Sequence, residues 1–105
     1  MKTNKIMDEI RKATPPETKL QMELSVAIAN RIYGLLEEKG MTQKEFAGKM
    51  GKTETEVSRW LSGTHNLTLA TISKISVTLG ENIIRVTGYS MPFDSDYGTL
   101  GVAEQ

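Results

Sequence analysis

The side chains with chemistry to offer cluster between Thr42 and Thr68, and their types suit hydrogen bonding rather than bond making. If residues 54–61 are helical, Val57, Trp60 and Leu61 share one face, while Glu54, Thr55, Ser58 and Arg59 project from the other. That outer face is short-chained and almost wholly polar, with Lys44 and Lys52 nearby. Such a face offers a partner one guanidinium, several hydroxyls and a carboxylate side by side. A helix that merely packed in a hairpin would need no such surface. Nothing comparable is arranged for catalysis. The chain has no Gly-rich phosphate loop, no Ser/His/Asp or Cys/His set and no carboxylate pair suggesting a cleft, so neither an enzyme nor a cofactor is expected. His65 is the single histidine, with no cysteine and no carboxylate at ligand spacing, and reads as a loop residue rather than a metal ligand. Trp60 reads as core, since turning it outward would leave its helix without a central hydrophobe.

Four helices are expected to carry these residues. Thr14-Pro15-Pro16-Glu17 combines a Thr cap, prolines at a helix start and a Glu able to close a capping box. Leu20, Leu24, Ala27, Ile28, Ile32, Leu35 and Leu36 then recur at helical spacing until Gly40. Thr42-Gln43-Lys44-Glu45 is a second capping box, opening a short helix that buries Phe46, Ala47 and Met50 and stops at Gly51. Ala47 sits where two helices would cross, and Gly51 where the turn needs a left-handed residue. Thr53-Glu54-Thr55-Glu56 is the third box, starting the helix that ends before Gly63. Thr68 caps a fourth helix with Leu69, Ile72, Ile75, Val77 and Leu79 as apolar positions, closed by Gly80. Residues 83–86 are β-prone, a short strand or extended segment, and from Tyr89 the Gly, Ser, Asp and Pro content predicts a loose tail. Ile6, Met7 and Ile10 allow one or two marginal turns before the first helix.

A chain of 105 residues, 38% apolar, has room for one domain with one core. The absence of cysteine excludes disulfides and fits a reducing interior. No apolar run approaches the roughly 20 residues that span a bilayer, and the N-terminus lacks a signal-peptide core, so a cytoplasmic protein is expected with no membrane partner. The net charge is zero but unevenly spread. Residues 41–80 carry Lys44, Lys49, Lys52, Arg59 and Lys74 against Glu45, Glu54 and Glu56, a balance of +2. Residues 81–105 carry Arg85 against Glu81, Asp94, Asp96 and Glu104, a balance of −3. A basic middle and an acidic end suit two different partners.

Thr42-Gln43, Ala47, Gly51, Val57-Ser58-Arg59-Trp60 and Gly63 fall together in the register of a known motif. The stretch from about Ser25 to Gly80 resembles the lambda-repressor-like (Cro/cI, or xenobiotic-response-element) helix-turn-helix family. Within it, residues 53–68 are similar to antitoxins of the HigA type. Lys52 departs from the pattern, standing where many members have an apolar residue after the turn glycine.

The resemblance implies an all-α, compact bundle of four to five helices containing a helix-turn-helix, with a possible C-terminal strand or tail. The domain would span residues 25–80, between an N-terminal extension (1–24) and a β-prone, acidic segment (81–105). In this family the second motif helix enters the major groove, which makes Thr53, Glu54, Thr55, Ser58 and Arg59 the base-contact candidates. Arg59 can bond guanine O6 and N7 bidentately, unless it pairs with Glu56 instead; Glu54 can accept from cytosine N4 or simply favour the positive helix start. Glu56 reads as the cap partner of Thr53. Phosphate contacts would come from Thr42, Gln43, Lys44, Lys52, Asn66 and Thr68, with Lys49 and Lys74 as solvated charges. The implied partners are a palindromic double-stranded operator, a second copy of the chain and, for an antitoxin repressing its own operon, a toxin protein. The long first helix or an Ile83–Val86 strand edge would supply the dimer contact. A phage-type or housekeeping repressor without a toxin, and an interaction module that has lost DNA binding, are the alternatives.

Overall fold

The computed structural model describes residues 13–94, which hold four helices and no strand. They are α1 (Pro16–Lys39), α2 (Gln43–Met50), α3 (Glu54–Trp60) and α4 (Leu69–Leu79). The predicted turns around Ile6, Met7 and Ile10, and the acidic tail past Asp94, lie outside the described residues.

Three of the four helices start as their sequences predict. Thr42, Thr53 and Thr68 are extended N-cap residues whose hydroxyls accept from the amides of Glu45, Glu56 and Thr71. The first helix differs. Its cap is Pro15 rather than Thr14, with no side-chain cap, because a residue before proline is held extended and Pro15 precedes Pro16. Pro15 has ψ 147, and its carbonyl takes the first helical bonds, from Thr18 and Lys19. The helix therefore opens at Pro16, and Glu17 falls one position short of where a capping box needs it.

One core joins all four helices. Ile32, Leu35 and Leu36 of α1 meet Phe46, Ala47 and Met50 of α2, Val57 and Trp60 of α3, and Ile72, Ile75 and Leu79 of α4. Phe46 and Trp60 meet edge to face, with ring centroids 6.4 Å apart. Two of the predicted apolar stripes are only partly buried. Leu20, Leu24 and Ala27 are exposed, since a helix of 24 residues extends for about 36 Å. The helices packed against it have 8, 7 and 11 residues, so its first half runs past them and, among the described residues, faces only the loop after α3. Leu69 and Val77 of α4 are also exposed: Ile72, Ile75 and Leu79 make the buried face at helical spacing, Val77 falls on the opposite side, and Leu69 sits at the helix start on the flank of that face.

No strand forms at residues 83–86 either. Ile83 turns inward and seals the end of the core, with Ile84 packed beside it. The chain then bends, Tyr89 N–H donating to the Val86 carbonyl at 3.2 Å. As far as Asp94 this segment is tied down rather than loose. Asp94 accepts from both terminal nitrogens of Arg85, from Asn82 Nδ2 at 2.9 Å and from the Met91 amide at 3.0 Å. Asn82 in turn holds α1, its carbonyl accepting from Arg31 Nε at 3.0 Å, while Arg31 also faces Glu81 at 3.9 Å.

The Arg85 guanidinium, aided by the Met91 amide, holds the Asp94 carboxyl below the usual range. A carboxylate depressed in the folded state stabilises the fold above its unfolded pKa, and that contribution is lost as pH falls through the folded value. Acid titration of wild type should therefore lose stability below the ordinary carboxylate range more steeply than Asp94→Asn, measured by chemical denaturation at each pH. Removing the Trp60 ring should cost about 3–5 kcal/mol, the range for large aromatic truncations in a core. A denaturation midpoint for Trp60→Ala near that of wild type would contradict this packing.

Candidate nucleic-acid interface

The surface formed by α2 and α3 begins with two reciprocal caps. Thr42 Oγ1 accepts from the Glu45 amide at 3.1 Å, and Glu45 Oε1 accepts from the Thr42 amide at 2.9 Å. Thr53 and Glu56 repeat the arrangement at 3.1 Å each way. These bonds fix where each helix starts, and each threonine hydroxyl keeps hydrogen-bonding capacity beyond its cap. The Thr42 amide first, then its hydroxyl, holds the Glu45 carboxyl below its ordinary value; the Thr53 amide does the same for Glu56. Between the helices, Gly51 takes φ 68, a conformation that side-chain-bearing residues adopt at a cost, and the Lys52 amide closes the turn on the Ala47 carbonyl at 2.9 Å. Lys52 itself is exposed, so its charge replaces no buried packing.

This scaffold leaves Glu54, Thr55, Ser58 and Arg59 exposed along α3. Arg59 forms no ion pair among the described residues. The Glu56 carboxylate points back to Thr53 instead, as the capping pattern predicts, and Arg59 acts on it only as a nearby charge. Ser58 is brought together with Gln43 of α2: its hydroxyl donates to Gln43 Oε1 at 3.3 Å. Gln43 is half-buried, and its Nε2 donates to the Tyr33 hydroxyl of α1, also at 3.3 Å.

A family model described as helix-turn-helix matches residues 32–85, just over half of the chain. The chain belongs to this helix-turn-helix family, the lambda-repressor-like class. The match opens in the second half of α1, includes α2, α3 and α4, and closes at Arg85, just beyond the buried Ile83. No curated protein and no solved structure matched in the corresponding comparisons. Among the described residues no helix is long and apolar enough to cross a membrane, and no three His, Asp or Glu side chains converge as a metal site.

Within the helix-turn-helix, the sequence-derived residues fall into two groups. Thr53, Glu54, Thr55, Ser58 and Arg59 all lie on or at the start of α3, with Thr42, Gln43 and Lys44 at the start of α2 and Lys52 in the turn. Asn66 stands apart, on the loop after α3, where it lines a groove with His65, Leu67 and the α1 residues Leu20 and Leu24. Thr68 begins α4, its hydroxyl engaged with the Thr71 amide and hydroxyl at 3.2 and 3.1 Å.

Two further residues belong to this surface. Ser62 fastens the end of α3, donating to the Arg59 carbonyl at 2.7 Å and meeting Thr64 Oγ1 at 3.0 Å. Its place between the end of α3 and Gly63, where a hydroxyl can meet a freed carbonyl, is the signal that could have found it. Tyr33 carried no such signal, because its distance of ten residues from Gln43 spans a helix end and a turn.

The capping geometry has a measurable consequence. Thr53→Ala should destabilise the domain by about 1 kcal/mol, as for other threonine caps. It should also weaken any ligand binding that uses α3, since the helix start moves; unchanged stability in urea melts would argue against the cap.

Proposed function

We propose that the chain is a sequence-specific transcriptional repressor that reads operator DNA through the outer face of α3. The observation that carries this reading is that face itself: Thr55, Ser58 and Arg59 stand exposed, with Arg59 free of any ion pair among the described residues. Arg59 then supplies bidentate recognition of a guanine, with Thr53 and Glu54 reaching the bases from the helix start. Gln43, Thr42, Lys44 and Lys52 serve as phosphate contacts beside it, the amides at the start of α2 adding to the pull on a phosphate oxygen. Asn66 and Thr68 extend the backbone contacts toward α4. One such helix reads one half-site, so the protein acts as a homodimer on a palindromic operator.

The finer reading is an antitoxin that represses its own operon and binds a toxin protein through a second surface. It is supported by the resemblance of residues 53–68 to HigA-type antitoxins and by exposed apolar residues on the first half of α1, Leu20 and Leu24 on one side and Met22 and Val26 on the other. These four residues lie outside the stretch that the family model matches. A toxin-sized neighbouring reading frame whose product co-purifies with the chain is the outcome expected of this finer reading. A plain repressor would show operator binding without it.

The test of DNA reading is a salt series. Affinity for the gene's own promoter should fall steeply with salt, log affinity against log salt sloping by about −0.9 for each neutralised phosphate. Arg59→Ala should weaken promoter binding by about ten- to a hundredfold, from the roughly 1–3 kcal/mol that a bidentate contact contributes, with helical content unchanged. A flat salt response would favour a protein-interaction module, and full affinity in Arg59→Ala would remove that residue from the reading face.

A further inference from the structure

Tyr33, Gln43 and Ser58 form one chain of hydrogen bonds from α1, through the start of α2, to the exposed face of α3. The chain has a direction. Gln43 Nε2 donates to the Tyr33 oxygen, and Gln43 Oε1 accepts the Ser58 proton. A serine hydroxyl has one proton and two lone pairs. With its proton directed at Gln43, Ser58 presents lone pairs alone to anything lying against α3. In the major groove, the adenine N6 and cytosine N4 amino groups donate, whereas guanine O6 and N7, thymine O4 and adenine N7 accept.

We propose that Tyr33 is a positioning residue for base recognition: by fixing the direction of the Gln43 amide, it makes Ser58 an acceptor that reads an adenine or cytosine amino group. The inference rests on the DNA reading above and adds to it the base chemistry of one contact and a residue on α1 that sets it.

The same direction follows from the phosphate side. Tyr33 is 43% exposed beside the start of α2, and a phosphate oxygen there can only accept. If it takes the Tyr33 proton, Tyr33 must accept from Gln43 Nε2. Gln43 Oε1 is then left to accept from Ser58, and Ser58 to accept from the base. A turned amide would reverse every link: Tyr33 would spend its proton on Gln43, and Ser58 would donate to an acceptor of guanine or thymine, or to adenine N7, and not accept from an amino group. Anchoring the backbone at Tyr33 and reading an amino group at Ser58 are therefore two ends of one arrangement.

The experiment uses the full chain and operator duplexes in which single adenines or cytosines are replaced by analogues lacking the amino group (deoxynebularine and deoxyzebularine). Wild type should lose about three- to tenfold in affinity at one position per half-site, the range for one neutral hydrogen bond. Ser58→Ala should bind equally well with and without the amino group there. Tyr33→Phe keeps the ring and removes the oxygen; it should show reduced discrimination at that same position, with an unchanged melting temperature. The proposal is overturned if Tyr33→Phe discriminates as wild type does, or if Ser58→Ala loses a preference for guanine or thymine instead. Absence of promoter binding by wild type would remove the DNA reading itself, which separates the two failures.

Discussion

The contact on which everything else depends is the packing of α3 against α2 through Phe46, Ala47, Val57 and Trp60. Phe46 and Val57 are wholly buried, Ala47 is small enough to let the helices approach, and the edge-to-face pair of Phe46 and Trp60 adds directionality. A seven-residue helix is too short to be stable alone in water, so α3 exists because its inner face is buried and its start is capped. The polar residues on its outer face therefore inherit a fixed orientation from an apolar contact on the opposite side.

That division of labour explains how a chain of zero net charge can face a polyanion. Within the motif, two of the three carboxylates bond back to the caps, Glu45 to Thr42 and Glu56 to Thr53, and Glu54 alone stays on the outer face of α3. The cations Lys44, Lys52 and Arg59 remain exposed. After α4, the described acidic residues Asp94 and Glu81 are directed to Arg85 and toward Arg31. Local arrangement rather than total charge sets the field near α3, and helix starts add their own partial positive charge.

Much of the motif was legible because its signals are local. Threonine three residues before glutamate names both the cap and the closing carboxylate, and apolar spacing identified Phe46, Met50, Val57 and Trp60 as inward. Where the signal depended on what lies opposite, reading from sequence failed. Leu20 and Leu24 continue the stripe of α1, yet among the described residues only the loop at His65–Leu67 lies opposite them, across an open groove, and they stay exposed. Leu69 and Val77 are apolar by type and outward by position. Residues 83–86 have strand propensity but no neighbouring strand, so Ile83 plugs the core instead. At the candidate site, the α3 face and its caps could be read from spacing, whereas the Tyr33 link is a meeting of three helices that no local pattern encodes. The consecutive prolines misled for a simpler reason: they start the helix one residue later than a Thr cap would.

The central claim is that the outer face of α3 lies in the major groove with Arg59 against a guanine. Dimethyl sulfate reports guanine N7 there directly. Wild-type protein bound to its operator should protect a guanine in each half-site, and Arg59→Ala, at a concentration giving equal occupancy, should leave that guanine reactive. Protection that is identical in the two proteins, or confined to the minor-groove N3 of adenine, would contradict the account.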